Sequence, residues 1–287
     1  MASILDRYGI KEVADVTFYK INNDGTRGDP VLYLDTLKVS TIEQTAESVD
    51  ARGGKGNPKL VTWDYGKEIT VSIEDALFSA KSMAIMFGNG TVTQTTAAGG
   101  DDVIRSATVR ATTTKLPDYF IADIYSAANG SERVKLYMGS ETTAPSGMVK
   151  FDDQVTITGV FNEDGTELKS TGDASITTAA LWQGATAVAG NKYVVQYTVK
   201  VTAKYISVSA DSFPGTYYVQ GDTYARSDVD GHDQFFQFII PKAKVTSENT
   251  ITLEAEGDPA VFNMNLTVLR PEDGEMMKLV QYDLVGE

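Results

Sequence analysis

The chain has 287 residues, 42% hydrophobic and 22% charged, a composition that is typical of a globular protein with a real core and excludes wholesale disorder. Its 25 basic and 39 acidic residues give a net charge of -14, which argues against a high-affinity binder of DNA phosphates or anionic membranes. The absence of cysteine excludes disulfides, thiolate nucleophiles and cysteine zinc sites. No N-terminal signal segment and no bilayer-length apolar stretch is visible, so a soluble, cytoplasmically made protein is expected.

The first predicted elements are strands. Residues 13–21 are rich in β-branched and aromatic side chains and alternate in polarity, which predicts a strand that ends at the turn sequence 22–25. A second strand is expected at residues 37–46, after a connection that Pro30 initiates. Similar alternation continues to residue 284. The expected fold class is therefore mainly β, an antiparallel β-sandwich or barrel with one flanking α-helix and a long inter-strand loop.

A polar, glycine-rich segment comes next. Residues 47–59 contain Gly53, Gly54, Gly56 and Pro58, which predicts a long loop or arm. A hairpin is expected after it, with strands at 60–63 and 68–73 around a turn at 64–67. A flexible surface loop and a role in assembly explain the polar segment about equally well.

The one predicted helix covers residues 74–87. Glu74 and Asp75 are expected at its positive N-terminal end, and Gly88 at its end. Apolar side chains occupy nearly its whole circumference, so the helix should be covered on more than one side. A buried core helix is slightly favoured, but an arm and an apolar helix together are also what a subunit interface would supply.

Strand-like segments continue through the rest of the chain. They are expected at residues 103–113, 134–138, 155–161, 192–209, 216–224, 234–245, 250–256, 260–269 and 277–284. Between residues 117 and 190 the composition shifts toward Ala, Gly, Ser and Thr. We therefore expect one β domain built from residues 1–116 and 191–287, with residues 117–190 as an insertion or small subdomain.

Signals for chemistry are weak. His232 is the only histidine, no G-x-S-x-G motif accompanies it, and its acidic, turn-like surroundings favour a solvated loop over a catalytic base. Three Asp-Gly loops, at residues 22–25, 162–165 and 228–233, fail the spacing of a calcium loop, which favours turns and leaves a weak, irregular cation site as the alternative. The glycine-rich segments lack the pattern of a phosphate loop. We expect no enzyme, no cofactor and no metal centre.

Several features together point to a known kind of protein. They are the strand Asp15-Val16-Thr17-Phe18-Tyr19-Lys20, a strand pair split by a long polar loop, a helix directly after residues 69–73, and a closing β meander. Two segments add similarity at the level of sequence: residues 56–66 (GNPKLVTWDYG), and residues 251–262 (ITLEAEGDPAVF) followed by 266–269. Over roughly residues 10–115 and 195–284, this combination resembles the tail tube proteins of long-tailed bacteriophages and their relatives in contractile injection machines.

The resemblance implies a β-sandwich subunit of the tail tube type that self-assembles into stacked, usually hexameric rings around the channel for DNA delivery. It implies subunit contacts through the loop, by Asp50, Arg52, Lys55 and Lys59. It implies interface packing by the helix, through Phe78, Met83 and Met86. The extra middle segment departs from compact tube proteins and would be an outer decoration or a sheath-facing elaboration.

The resemblance also implies partners and a location. The partners are further copies of the chain and other tail proteins: the terminator, the baseplate or tip, the sheath of a contractile tail, and the tape measure inside the lumen. DNA would pass without specific binding, and the subunit would not insert into a membrane. The protein would reside in the tail of the virion after synthesis in the host cytoplasm.

Two alternatives stay open. A carbohydrate-binding or adhesion β module would use some of the 14 tyrosines and two tryptophans to stack on sugars, with Trp63 and Trp182 as the test residues, although core packing explains most of these aromatic residues first. The second alternative is another virion protein of the same architecture, such as a tail terminator or a capsid decoration protein, which the sequence separates poorly from a tail tube protein.

Overall fold

The structure is a computed structural model, and it describes residues 7–10, 12–88, 90–94, 101–126, 130–137, 145–150, 155–168, 186–228, 231–247, 251 and 261–282. Strands dominate these residues and their sheets are mostly antiparallel, so the predicted mainly β fold class is confirmed. The chain divides into two compact units. Unit 1 comprises Met1–Thr93 and Lys204–Glu287, and unit 2 comprises Gln94–Ala203.

The elements follow in chain order. They are β1 Tyr8–Ile10, β2 Asp15–Ile21, β3 Arg27–Leu34, β4 Leu37–Arg52, β5 Lys59–Asp75, α1 Ala80–Phe87, β6 Thr93–Gln94, β7 Asp101–Arg110, β8 Tyr119–Ser126, β9 Gly130–Tyr137, β10 Val149–Lys150, β11 Val155–Asn162, β12 Lys192–Val201, β13 Lys204–Tyr205, β14 Thr216–Ser227, β15 Asp233–Val245, β16 Phe262–Val268 and β17 Lys278–Tyr282. β6 and β13 pair with each other in a two-stranded sheet.

Unit 1 is built on a nine-stranded sheet in the order β3-β2-β14-β15-β16-β5-β4, with β1 on β14 and β17 on β15. Alternate residues of its strands face a single core, which gives the burial pattern that period-2 alternation predicts. Phe18, Val71 and Val219 are at most 1% exposed in that core. Ile85 and Met86 of α1 pack into the same core, so the helix is held against the sheet.

Unit 2 has a separate core between two small sheets. One sheet has the order β11-β12-β7 and the other the order β10-β9-β8, where β10 and β9 are the parallel pair. Tyr193 and Tyr197 of β12 are each 1% exposed, and the Tyr197 ring lies 5.1 Å from that of Phe120 on β8. Unit 2 contains the predicted segment 117–190 and extends past it on both sides, because β7 and β12 pair with each other and share this core.

The segment predicted as a loop is the end of a long β-hairpin. β4 continues to Arg52 and β5 begins at Lys59, so the prediction of a loop over residues 47–59 is wrong except at the turn 53–58. β16 pairs with β5 only from Thr70 to Asp75, and residues 44–69 therefore pair only between β4 and β5. We call residues 44–69 the arm. The period-2 pattern of a core-facing strand is missing here, because the ribbon lies outside the subunit core except at Ile69 at its base.

The turn predicted at residues 64–67 is a β-bulge. Between the pairs Thr45–Glu68 and Glu47–Tyr65, two residues of β5 oppose a single residue of β4. Gly66 has a φ of 61°, which a bulge accommodates as readily as a turn does. The prediction of two short strands is therefore wrong, and β5 runs through this point as one strand.

The helix is shorter than predicted. Glu74 and Asp75 belong to β5, because β16 pairs with β5 as far as these residues. The helix begins after Ser79, whose Oγ accepts a hydrogen bond from the backbone N–H of Ser82 at 3.0 Å, while the Ser79 N–H donates to the Ser82 Oγ at 2.9 Å. Its predicted end at Gly88 is confirmed.

Other differences are local. Pro30 lies inside β3, an edge strand in which the missing N–H is tolerated, and not in a connection between strands. The single strand predicted at 192–209 is divided into β12 and β13. The strand predicted at 250–256 lies, apart from Ile251, outside the described residues. Within the described part of the chain, the helix found is far too short to cross a membrane.

Candidate assembly interface

The arm reaches well beyond the sheet that carries it. Its β4 half comprises nine residues, 44–52, and at about 3.3 Å per residue it is about 30 Å long. A two-stranded hairpin by itself is marginally stable in water and needs packing on a further surface. The length and isolation of the arm therefore make it the first candidate for a contact with another molecule.

The two faces of the arm differ in chemistry. The pairs Val49–Trp63, Glu47–Tyr65 and Ala51–Val61 lie on one face, which we call the apolar face. Its four large side chains are between 47% and 56% exposed: Val49, Val61, Trp63 and Tyr65. The opposite face carries the pairs Ser48–Asp64 and Asp50–Thr62. In the part of the chain that is described, no residue outside the arm pairs with this ribbon, so large apolar side chains stay in water.

The polar face is organised around Asp50. Its carboxylate accepts a hydrogen bond from Thr62 Oγ1 at 2.8 Å and contacts Lys59 Nζ at 2.7 Å and Arg52 Nη2 at 3.1 Å. The bonds from Lys59, Thr62 and Arg52, in that order, hold the pKa of Asp50 below its usual value. Three of the four predicted loop contacts are therefore bonded to one another. They fix the end of the arm, and Lys55 is exposed in the turn beyond them.

The turn at the tip is also ordered by its own bonds. Gly53 N–H donates to the Pro58 carbonyl at 3.3 Å, and Asn57 N–H donates to the Gly54 carbonyl at 3.1 Å. Gly54, Gly56 and Asn57 adopt positive φ, which explains why glycine and asparagine occupy these positions. The glycine-rich composition thus serves a tight turn between two strands.

The predicted helix contacts divide into surface and core residues. Phe78 precedes α1 and is 55% exposed, next to Leu77 at 64%, and its ring lies 4.4 Å from the ring of Phe262. Met83 is half-buried. Met86 is 2% exposed and packs in the core of unit 1, so its assignment to a surface contact is corrected. Leu77 was not predicted as a contact residue.

A second apolar surface lies on the sheet of unit 1. Tyr224 of β14, Phe235 of β15 and Tyr282 of β17 are successive cross-strand partners and therefore share one face. The centroid of the Phe235 ring lies 5.4 Å from that of Tyr224 and 5.3 Å from that of Tyr282, with which it stacks at 13°. Tyr224 is 49% exposed and Tyr282 is 39% exposed. We call these three residues the aromatic row.

A charged pair lies beside the aromatic row. Arg226 donates two hydrogen bonds to Asp233, from Nε at 2.6 Å and from Nη2 at 2.9 Å. With Glu12 and Tyr224, this pair lines a shallow depression of about 300 Å³. The row could not be predicted from the sequence, because its members lie far apart in the chain and the strand register brings them together.

The Asp-Gly loops at residues 22–25 and 162–165 act as turns, whereas residues 229 and 230 of the third loop lie outside the described residues. Asp24 Oδ1 accepts hydrogen bonds from the Thr26 N–H at 3.0 Å and the Thr26 hydroxyl at 2.6 Å, and the hydroxyl bond is the main reason that the pKa of Asp24 is lowered. Asp164 accepts the N–H of Thr166 at 2.9 Å. Among the described residues, no three His, Cys, Asp or Glu side chains are grouped to hold a metal ion. His232 is exposed between β14 and β15.

The two tryptophans named for sugar binding differ in position. Trp63 lies on the apolar face of the arm, and Trp182 lies outside the described residues. No curated protein matches the chain. The sequence model of the YomU/Tube protein family matches residues 8–160 and 153–281, nearly the whole length of the chain. The chain therefore belongs to the YomU/Tube protein family, a phage-related family of tube proteins.

Proposed function

We propose that this protein is the major subunit of a phage tail tube, in which copies form hexameric rings that stack into a hollow channel for DNA delivery. Membership of a phage-related tube family and the antiparallel β fold support this proposal. The observation that carries it is the arm, which presents an apolar face that its own subunit leaves exposed. Such a surface on a hairpin without packing partners marks a site of contact with another protein.

The partner of the arm is another copy of the chain. A ring or stack that grows from identical subunits joins two different surfaces of the subunit, since a head-to-tail contact is not self-complementary. The arm supplies one such surface. Large aromatic side chains such as Trp63 and Tyr65 dominate the energy of protein contacts, which suits them to the centre of this interface.

The polar residues of the arm then have a supporting role. Asp50, Arg52 and Lys59 hold the tip in shape, and Lys55 is left to meet charges of a neighbouring subunit. Leu77 and Phe78 form a smaller exposed apolar patch at the start of α1, with Met83 half-buried nearby in the helix. We propose this patch as a second contact within the assembly.

The remaining parts of the proposal follow from charge and organisation. A net charge of -14 keeps the subunit from binding DNA phosphates tightly, which suits a channel through which DNA must slide. Unit 1 would build the tube, and unit 2 would be an elaboration added to it. The terminator, the baseplate or tip, the tape measure and, in a contractile tail, the sheath would be the other partners, all within the virion tail.

Negative-stain electron microscopy of the purified protein across a concentration series tests the proposal. We expect rings or hollow tubes for the natural sequence. Trp63→Thr, on the apolar face, should raise the concentration at which they form, whereas Asp64→Thr, the neighbouring residue on the polar face, should not. Circular dichroism would verify that both variants keep the β fold. Dispersed single particles at every concentration and salt condition would contradict the proposal.

A further inference from the structure

We propose that the aromatic row of one copy is the surface that receives the apolar face of the arm of another copy. This inference rests on the proposed function, because it names the partner surface within the assembly. The rings of Tyr224 and Tyr282 remain exposed in the subunit, so the subunit's own arm does not cover them. The row, like the apolar face of the arm, is thus exposed and accessible to a second molecule.

The chemistry of the two surfaces is matched. The arm offers an indole and a phenol, at Trp63 and Tyr65, and the row offers two phenols and a phenyl ring. Aromatic residues and arginine are the side chains that most often anchor protein interfaces, and such anchors tend to pair with one another across the contact. Aromatic rings also gain from offset or edge-to-face contacts beyond the area that they bury.

The depression beside the row gives the contact a specific shape. Its volume of about 300 Å³ lies at the small end of the range for ligand pockets, which suits a single large side chain. Tyr224 and Arg226 line it, and both can stack on an aromatic ring placed between them. Trp63, which is 56% exposed in the middle of the apolar face, is the side chain we assign to this depression.

Charge favours the same pairing. Residues 50–59 at the end of the arm contain three basic residues and one acidic residue, a net charge of +2 in a chain whose total is -14. Around the row, Arg226 is bound to Asp233, Glu12 and Asp228 add two negative charges, and Arg7, whose carbonyl accepts the Asp228 N–H, adds one positive charge. A basic tip is therefore attracted to this acidic end of the sheet, which orients the arm as it docks.

The two surfaces also agree in size. The row crosses three neighbouring strands, and two intervals of about 4.8 Å make it about 10 Å wide between backbones. The arm is two strands wide, about 5 Å between backbones plus its side chains. A ribbon of this width can lie along the row with its apolar face covered.

Because the chain has no cysteine, single cysteines can be placed without background. Glu47→Cys lies on the apolar face of the arm, on the side of Trp63 away from the tip, and Val280→Cys lies two residues from Tyr282 on the face of the row. Each variant is purified as the full chain, the two are mixed, assembled, and treated with a short bismaleimide. Linked dimers are quantified on denaturing gels, while electron microscopy records tube formation in parallel.

We expect the Glu47→Cys and Val280→Cys mixture to give roughly tenfold or more linked dimer than either variant alone, because a docked contact holds the thiols at a high effective concentration. Ser106→Cys, an exposed position in unit 2, measures random collision. Linking of Glu47→Cys to Leu77→Cys instead would assign the arm to the patch at α1 and overturn the proposal. Tubes without linkage to Val280→Cys would also overturn the proposal. Absence of tubes in every sample would contradict the proposed function as well.

A second measurement separates the row from a site for sugars. Tyr224→Ser should raise the concentration needed for tube formation about tenfold or more, the size expected for loss of an interface anchor, whereas Tyr205→Ser, at an equally exposed tyrosine on β13, should not. If Tyr224→Ser assembles normally and instead abolishes binding on a glycan array, the row is a saccharide site and the proposal is wrong.

Discussion

Phe238 covers Gly221 across the pairing of β14 and β15. The two residues are direct cross-strand partners, and a Cβ added at Gly221 would overlap the ring of Phe238. Phe238 is 3% exposed and belongs to the core of unit 1, so the ring has little room to move away. A glycine is needed here because of this close approach, and the backbone at Gly221 has no positive φ.

Gly221→Ala should therefore destabilise unit 1 through overpacking. We expect the free energy of unfolding, measured by urea denaturation, to fall by about 1–3 kcal/mol. Gly9→Ala is the matched control, because no atom lies within 4 Å of the position of its Cβ and this substitution should change stability little. The double variant Gly221→Ala with Phe238→Leu should recover part of the loss. If it recovers nothing, the ring is not the cause.

Asp75 joins the end of β5 to the turn that precedes α1. It is 6% exposed, and its Oδ1 accepts hydrogen bonds from the Thr36 hydroxyl at 2.5 Å and from the Leu77 N–H at 3.2 Å. Asp75→Ala leaves both donors without this acceptor, which should cost about 1–3 kcal/mol in free energy of unfolding. Asp35→Ala, at a nearby exposed carboxylate, serves as the control for loss of charge. Equal effects of the two substitutions would assign the loss to net charge.

The sequence predicts those strands that place one of their two faces on the core. Val16 and Phe18 are fully buried and alternate with less buried residues, so the period-2 pattern was sufficient for β2. It was insufficient for the arm, where residues 45–50 and 59–68 stay outside the core and polar residues such as Glu47 are typical of a loop. Glu74 was assigned to the helix because its charge suits a helix start, but pairing with β16 holds it in a strand.

The candidate site also has one part that the sequence predicts and another that it does not. The position of the arm and the exposure of Phe78 could be predicted from local sequence, whereas the aromatic row could not. Its members, Tyr224, Phe235 and Tyr282, are brought together only by the register of three strands. Register depends on which strands become neighbours, and a single sequence does not encode that choice locally.

Asp50 gives the arm a dependence on pH whose sign follows from its lowered pKa. A carboxylate with a folded-state pKa below the usual 3.8 stabilises the folded arm above that value, and the contribution is lost as the pH falls through the lower folded pKa. The tip should therefore be closed at neutral pH and loosen in acid. Hydrogen exchange at the Asn57 amide, corrected for its intrinsic rate, should show protection that declines below about pH 3.8.

Asp50→Asn provides the comparison for this pH effect. Without a carboxylate, the contacts to Lys59 and Arg52 lose their charge, so protection at Asn57 should be low at neutral pH and flat across the acid range. Asp64→Asn, on the same face but outside the contacts of Asp50, should keep the titration of the natural chain. A titration that persists in Asp50→Asn would assign it to a different group.

Unit 1 should fold without unit 2. The chain leaves unit 1 at β6 and returns at β13, and these two strands pair with each other, so Gln94 and Lys204 lie near one another. Neighbouring strands are about 4.8 Å apart, a gap that a short Gly-Ser linker spans without strain. Of the described residues between 95 and 203, none belongs to the core of unit 1, so removal of that segment takes none of their side chains from it.

We therefore expect the chain in which a Gly-Ser linker replaces residues 95–203 to unfold in one cooperative transition. Circular dichroism and tyrosine fluorescence, measured during a urea titration, would monitor this unfolding. If unit 1 alone builds the tube, electron microscopy should also find tubes of this shortened chain. The converse segment, residues 94–203, should fold by itself, because Tyr193, Tyr197 and Phe120 lie in a core whose described members all belong to unit 2. A shortened chain that exposes its core would show that unit 2 is required to complete the fold of unit 1. A folded shortened chain that forms no tubes would locate assembly contacts in unit 2, because the arm and the aromatic row would both still be present.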